Sequence, residues 1–280
     1  MLQLHSTQRT IQTLCDRIRT KTNGKYLRFG DGDFLIMKGN NEQLANATPE
    51  FSRNLMESFR AYEPNDMLAV NFHTPDLGLL EPGMGPGVHL TSGDVVHQNI
   101  VESLQLVPSL RELYSATALH HVMVTNPRSF VTVLHTIQEH GNVILVGDET
   151  FSPNALQMYF GPHRKVNGPS FDSYEAKGTI LAEFEAHLQS APKGEHLLIV
   201  LALGCGGRAL VPEMEALLTK YALPAFFLDF GSPIDVLMGS VTRHWISEHE
   251  TTINIRYIQM LNQRTLVPNE DDPYSIQLRL

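Results

Sequence analysis

Two aspartates alternate with two glycines directly after a short apolar run near the start of the chain. The run covers residues 25–29, suits a strand, and is followed by Gly30, Asp31, Gly32 and Asp33. In an open α/β sheet, ligands bind outside the carboxyl ends of the strands. Two carboxylates so close together repel each other, and a divalent cation held by their oxygens relieves that repulsion. The motif therefore predicts a metal site, with a solvated Asp-Gly turn as the alternative.

A second glycine-rich segment follows the most hydrophobic strand candidate, residues 196–203. Residues 204–209 fit the pattern G-x-G-x-x-A, and Asp229 lies 25 residues beyond Gly204. The segment resembles the cofactor loops of dinucleotide-binding proteins and of S-adenosylmethionine-dependent methyltransferases, although only about 75 residues follow it. Alternatively, Gly204 and Gly206 offer backbone N–H groups at a helix start to a phosphate or a sugar. A tight strand-to-helix turn is the structural alternative.

Two further aspartates close predicted strands. Asp148 ends the run 142–148, and Asp229 ends the run 224–229. We expect these strands to be neighbours, so that both carboxylates reach one crevice, where one of them acts as general base toward an acceptor hydroxyl. Each is equally suited to cap the helix that follows it.

Hydrophobic periodicity predicts strands that alternate with helices along most of the chain. Thr48, followed by Pro49, predicts a helix start, and the glycine- and proline-rich residues 73–92 are a candidate lid. Such alternation requires a mainly parallel sheet with helices on both faces, an α/β Rossmann-like fold. Besides the strands already named, the sequence predicts strands at 67–72 and 120–124 and helices at 6–21, 48–59, 93–106, 108–115, 128–139, 154–159, 172–190 and 208–221.

The composition indicates a globular protein without a polyanion-binding surface. The chain of 280 residues has 42% hydrophobic and 18% charged side chains and a formal net charge of -9, which argues against nucleic acid as a partner. Two cysteines are too few for a disulfide framework and suit a reducing cytoplasm. We see no secretory signal and no apolar run of about 18 residues. We therefore predict a cytoplasmic protein with one domain, residues 1–280, and a polar tail from about residue 269.

The chain resembles the GT-D type glycosyltransferases, a bacterial family first described as a domain of unknown function. The central match is residues 28–34, Arg-Phe-Gly-Asp-Gly-Asp-Phe, against the family's Arg-Phe-Gly-Asp-Gly-Glu. Asp33 stands where the family usually has Glu, and residues 149–151 stand where it has a Ser-Arg pair. Further similar stretches follow in the family's order at 143–148 with Asn154, 169–174, 202–204 and 228–231.

This resemblance implies metal-dependent transfer of a hexose from a nucleoside diphosphate sugar, with UDP as the expected nucleotide and a glycan or glycoprotein as acceptor. Mn²⁺ or Mg²⁺ would bridge the diphosphate and the carboxylates of Asp31 and Asp33, directly or through water. Arg28 either binds a phosphate or pairs with one of these aspartates. The oligomeric state stays open. The expected donor site also includes Gly30, Gly32, Asp148, Tyr174, Gly204 and Gly206, with Asp229 in contact with substrate.

Two alternatives from other classes remain at this point. A methyltransferase using residues 204–207 would bind S-adenosylmethionine without a metal. A non-catalytic carbohydrate-binding protein on the same scaffold would bind its ligand without turnover.

Overall fold

The computed structural model describes residues 2–71, 93–242, 246–247, 253–263, 266–269 and 272–278; for residues 93–97 and 99 and for the last two strands it describes the backbone alone. The predicted lid at 73–92 lies outside the described residues. One sheet contains β1 (Gln3–Leu4), β2 (Gly24–Phe29), β3 (Met67–Val70), β4 (Glu112–Ser115), β5 (Val143–Asp148), β6 (His163–Gly168), β7 (Leu197–Ala202) and β8 (Ala225–Asp229). A separate two-stranded antiparallel sheet consists of β9 (Leu266–Asn269) and β10 (Asp272–Leu278).

Helices lie between most of the strands, and none among the described residues is long and apolar enough to cross a membrane. A short 3-10 helix, Ser173–Ala176, precedes α8. The helices are α1 (Thr7–Arg19), α2 (Asp31–Met37), α3 (Pro49–Arg60), α4 (Gly93–Leu106), α5 (Ala118–Thr125), α6 (Pro127–His140), α7 (Pro153–Phe160), α8 (Lys177–Gln189), α9 (Gly204–Ala209), α10 (Val211–Tyr221), α11 (Pro233–Leu237) and α12 (Ile255–Asn262).

All eight strands of the large sheet run parallel, in the order β1-β4-β3-β2-β8-β7-β5-β6. From β2 the chain adds β3 and then β4 on one side, whereas β8 pairs with β2 on the other side, with Tyr26 opposite Leu228. The carboxyl ends of β2 and β8 therefore meet at the centre of the sheet, where the strand order changes direction and open α/β sheets bind ligands. The predicted fold class is confirmed.

Each face of the sheet has its own apolar core. Along β2, Tyr26 belongs to the core beneath α1, α5 and α6, whereas Leu27 and Phe29 belong to the core beneath α3, α8 and α10. Because helices cover both faces, the central strands are apolar almost without interruption. Arg28 is the exception near the end of β2, and a charged side chain in such a strand must find a partner.

Local capping explains where several helices begin. The Ser6 hydroxyl accepts a hydrogen bond from Arg9 N at 3.1 Å at the start of α1. The Thr48 hydroxyl accepts one from Phe51 N at 3.2 Å, and Pro49 is the first residue of α3. These bonds satisfy N–H groups that the first turn of a helix leaves unpaired. The predicted cap at Thr48 is confirmed.

Two predicted elements are of the wrong type. Residues 120–124, predicted as a strand, belong to α5, and residues 108–115, predicted as a helix, end in β4. The helix α5 is buried from Ala118 to Met123, so its apolar run shows no one-sided helical period. The strand β4 forms because it pairs with β3 and β1, which are distant in sequence.

Two segments predicted without regular structure form strands. Residues 163–168, for which the sequence predicts neither a strand nor a helix, are β6, an edge strand that pairs only with β5 in the described sheet. Its polar sequence is typical of edge strands, which carry charged side chains facing water. The predicted polar tail contains β10, which pairs with β9. The organisation as a single domain stays a prediction.

Candidate active site

Four buried charged side chains meet at the carboxyl ends of β2 and β8. Arg28 and Asp229 come from these strands, Asp33 from the first turn of α2, and Arg208 from α9. Their exposed fractions are 8% for Arg28, 3% for Asp33, 7% for Arg208 and 1% for Asp229. Charged residues are almost never buried to this extent unless they are paired. We call these four residues the charged quartet.

Arg208 is the centre of the charged quartet. Its Nε donates to Asp33 Oδ1 at 2.7 Å and its Nη2 donates to Asp33 Oδ2 at 2.9 Å, which makes a two-point contact. Its Nη1 donates to Asp229 Oδ2 at 2.7 Å. The planar guanidinium group suits such a fork, because its N–H groups are fixed in one plane. Arg208 thus holds two carboxylates from different elements in a fixed relation.

Arg28 holds Asp229 from the other side. Its backbone N donates to Asp229 Oδ2 at 3.3 Å, and its Nη2 donates to Asp229 Oδ1 at 3.4 Å. The Nη1 group donates to the carbonyl oxygen of Ala116 at 3.1 Å and lies 3.3 Å from His120 Nδ1. In turn, His120 Nε2 lies 3.0 Å from the Ser232 hydroxyl. The network therefore extends from the sheet to α5 and to the turn before α11.

A glycine makes room for the Arg28 guanidinium. Gly231 has φ of +61°, and a Cβ built on it would lie 1.4 Å from Arg28 Nη2. No side chain fits there while Arg28 keeps its place, and the left-handed backbone also favours glycine. The turn after β8 is therefore shaped around Arg28.

Burial and the neighbouring charges act in opposite directions on the pKa of Asp33 and on the pKa of Arg208. Burial raises the pKa of the Asp33 carboxyl, against the opposing effects of the Arg208 charge and the hydrogen bond from Gly30 N. Burial alone would lower the pKa of Arg208, but the charges of Asp33 and Asp229 outweigh it and raise the pKa. Arg208 therefore keeps its charge. Moving a single unpaired ion from water into the protein interior costs several kcal/mol. Each group of the charged quartet therefore depends on its partners, and loss of one would leave a buried charge unpaired.

The two aspartates after β2 lie in different surroundings. Asp31 is exposed at the start of α2, whereas Asp33 is buried, and its two oxygens accept three hydrogen bonds, from Arg208 twice and from Gly30 N. Divalent cations need a cluster of free oxygen ligands. Within the described residues, no group of three or more His, Cys, Asp or Glu side chains is placed to hold a metal ion. Joint direct coordination by Asp31 and Asp33 does not fit this arrangement, and the metal assignment stays a prediction.

Close packing favours glycine at two of the four positions expected to face a donor, Gly206 and Gly30. A Cβ on Gly206 would lie 2.1 Å from the Ser173 hydroxyl, and a Cβ on Gly30 would lie 3.0 Å from Asn71 Nδ2. The segment predicted as a loop at 204–207 is already the first part of α9, which begins at Gly204 with φ of +57°. A Cβ on Gly32 would lie 3.5 Å from Glu42 Oε2. Donor binding by these glycines stays a prediction.

Asp148 and Tyr174 lie outside the charged quartet. Asp148 Oδ1 accepts hydrogen bonds from Thr150 N and Thr150 Oγ1, both at 2.8 Å, as in a turn. The strand β7 lies between β5 and β8, so the prediction that Asp148 and Asp229 end neighbouring strands is wrong. Tyr174 is buried against α3, where its hydroxyl accepts from Asn54 Nδ2 at 2.7 Å and its ring stacks on Phe51 at 4.6 Å.

Solved structures match this chain, whereas no protein-family model matches it and no curated protein matches it in sequence. A structure described as a new glycosyltransferase (DUF1792) from Streptococcus sanguinis shares 16% identity with a TM-score of 0.55, and 86% of each chain is covered. A second, described as showing that domain of unknown function 1792 has a distinct glycosyltransferase fold, shares 14% identity with a TM-score of 0.56, over 85% of this chain and 83% of its own. This chain has the DUF1792 glycosyltransferase fold. The predicted resemblance is confirmed at the level of the fold.

Sequence reasoning missed three residues that the DUF1792 fold brings together here. Arg208 lies inside the G-x-G-x-x-A segment, at a position that the pattern leaves unspecified. His120 lies in the segment predicted as a strand at 120–124, and no motif in the sequence includes Ser232. For Arg208 a signal existed, because a cation directly after a strand-end glycine run is a natural partner for carboxylates at other strand ends.

Proposed function

We propose that this protein is a glycosyltransferase that moves a hexose from a nucleoside diphosphate sugar, with UDP as the expected nucleotide, to a glycan or glycoprotein. The observation that carries the proposal is the charged quartet at the carboxyl ends of β2 and β8, within a DUF1792 glycosyltransferase fold. Four ionisable groups are removed from water at the edge where this type of sheet binds ligands. A cluster of buried, mutually paired ionisable groups at this position is a candidate functional site.

The chemistry of sugar transfer fits oriented donors at this edge. The leaving diphosphate gains negative charge as the sugar departs, and fixed hydrogen-bond donors stabilise such charge without reorganising. In the charged quartet two carboxylates balance two guanidinium groups, so the set supplies oriented N–H groups rather than net positive charge. One of these, Arg28 Nε, is buried and has no acceptor among the described residues. A ligand oxygen would satisfy it.

The proposal assigns different tasks to the three aspartates. Asp229 is buried, and Arg28 and Arg208 occupy both of its oxygens, so it orients the two guanidinium groups. Asp33 anchors Arg208. Asp31 is the exposed carboxylate of the motif and faces solvent, where a donor can approach. Dependence on Mn²⁺ or Mg²⁺ is tested by comparing ligand binding with metal and with a chelator.

A thermal-shift panel tests the proposal. The ligands are UDP, GDP, CMP, UDP-glucose, UDP-galactose and S-adenosylmethionine, each with Mn²⁺ and with a chelator. A ligand at 100 times its dissociation constant stabilises by about 2.7 kcal/mol, which raises the midpoint by several degrees. We expect one nucleoside diphosphate and its sugar conjugate to stabilise the protein. Loss of this effect with chelator would establish metal dependence.

Turnover separates an enzyme from a binding protein. We expect release of nucleoside diphosphate from the sugar conjugate that stabilises, and at least a tenfold loss of that release in Asp31→Asn. The matched control is Asp16→Asn, an exposed aspartate on α1, which should keep the wild-type rate. Stabilisation by S-adenosylmethionine alone, or saturable sugar-nucleotide binding without release, would contradict the proposal.

A further inference from the structure

The motif Gly30 to Asp33 places one of its two carboxylates in the solvent and the other in the protein interior. Successive helix positions point about 100° apart, so positions 31 and 33 cannot share one direction at the start of α2. Asp31 faces solvent and Asp33 faces the interior, where its exposed fraction is 3%. The alternation of glycine and aspartate therefore separates the carboxylates instead of pairing them.

Both oxygens of the inward carboxylate already accept hydrogen bonds. Asp33 Oδ1 accepts from Arg208 Nε at 2.7 Å, and Asp33 Oδ2 accepts from Arg208 Nη2 at 2.9 Å and from Gly30 N at 2.8 Å. Hydrogen bonds of this kind to an ionised carboxylate are short and strong. A cation at either oxygen of Asp33 would lie beside the positive charge of Arg208 and would compete with the fork for that oxygen. Without the fork, Arg208 would stay buried with Asp229 as its remaining carboxylate.

We propose that Asp33 is a positioning residue, the anchor of Arg208, and not a ligand of a divalent cation. Through Arg208 it fixes Asp229, and through Asp229 it fixes the guanidinium group of Arg28. The inference rests on the proposed function for the reaction that the charged quartet serves, but the pairing itself rests on the distances above. The two aspartates of the motif therefore have different roles, because among the described residues Asp31 takes no part in the pairing with Arg208.

Two isosteric variants test the division. Asp33→Asn removes the charge that faces Arg208 and keeps the shape, and Asp31→Asn makes the same change two residues earlier in an exposed position. We expect Asp33→Asn to lower the thermal midpoint by about 6 °C or more, because breaking a buried pair leaves a buried charge unpaired. We expect Asp31→Asn to stay within about 2 °C of the wild type.

Mn²⁺ binding provides the second measurement, followed by electron paramagnetic resonance with and without UDP on the folded proteins. We expect the dissociation constant of Mn²⁺ in Asp33→Asn to stay within about threefold of the wild type. A loss of tenfold or more would overturn the proposal, whatever the midpoint does, since Asp33 would then ligate the cation. An unchanged midpoint would overturn it too. If the wild type binds no Mn²⁺, the midpoint alone decides.

A test of the positioning role requires a quantity that a change in stability alone would not alter. Arg208→Lys keeps the charge but replaces the planar fork with a point charge, whereas Arg208→Met removes the charge. We expect Arg208→Lys to recover most of the midpoint that Arg208→Met loses, yet to lower kcat for donor hydrolysis at least tenfold with KM within threefold. A wild-type kcat in Arg208→Lys would overturn the positioning role. A wild type without any hydrolysis would refute the proposed function, and the midpoint of Asp33→Asn would still decide the pairing.

Discussion

Gly231→Ala is the sharpest test of the charged quartet, because the chain contains a matched control. Gly231 and Gly239 both have left-handed backbone, with φ of +61° and +76°. A Cβ on Gly239 would have nothing within 4 Å, whereas a Cβ on Gly231 would lie 1.4 Å from Arg28 Nη2. The two substitutions therefore share the backbone strain and differ in whether Arg28 must move.

The expected magnitudes follow from this difference. A non-glycine residue in the left-handed region costs about 1–2 kcal/mol, which is the whole expected effect of Gly239→Ala. In Gly231→Ala, Arg28 must also leave Asp229, and breaking a buried ion pair costs about 3–5 kcal/mol. We therefore expect Gly231→Ala to destabilise by about 4–7 kcal/mol, which is a large part of the stability of a typical protein.

Urea denaturation of both variants measures these free energies, and a double-mutant cycle isolates the cause. In an Arg28→Ala background the new methyl group has no guanidinium to displace, so Gly231→Ala should then cost no more than Gly239→Ala. If the two alanine variants destabilise the wild-type background equally, within about 1 kcal/mol, the Arg28 guanidinium does not lie against Gly231 and the reasoning is refuted.

Two further predictions concern packing and pH. Gly206→Ala should destabilise the protein by about 1–3 kcal/mol, because the new Cβ would lie 2.1 Å from the Ser173 hydroxyl. The control is Gly178→Ala in α8, where a Cβ meets nothing within 4 Å, and this variant should stabilise the protein by up to about 1 kcal/mol. Urea midpoints of the two variants that do not move in opposite directions would contradict this prediction. Burial and the neighbouring His196 lower the pKa of His140 from 6.5 to about 4, so the unfolded chain takes up a proton there before the folded protein does. Stability should therefore fall by about 2 kcal/mol between pH 7.5 and 5, and His140→Gln should flatten that slope; an unchanged slope would contradict the assignment.

Elements with local signals were predictable from the sequence. Thr48 followed by Pro49 gives a helix start whatever the rest of the chain does, and the alternation of strands and helices gives a parallel sheet. The wrong predictions fall where local signals are weak. The helix α5 is buried nearly all round, and β6 is an edge strand with a polar sequence, so neither shows the period that would identify it.

The strand order explains why the site could be predicted only in part. Glycines and aspartates at strand ends indicate which edge carries the site, but Asp148 and Asp229 have equal local signals. Only the insertion of β7 between β5 and β8 separates them, and only the pairing of β8 with β2 brings Asp229 to Arg28. These pairings join residues far apart in the chain, so no periodicity within one element can reveal them.

Asp33 shows where local and non-local reasoning meet. It is the third residue of α2, and its carboxylate returns to Gly30 N at 2.8 Å, a helix-start arrangement that the spacing of the two residues already allows. This bond occupies one acceptor site of Asp33 Oδ2, so a cation shared with Asp31 would have to compete with it. The local geometry thus directs one carboxylate oxygen back to the helix start, and Arg208 completes the engagement of Asp33. What the sequence could not supply is the partner, which comes from α9, 175 positions later, once β7 has taken its place beside β8.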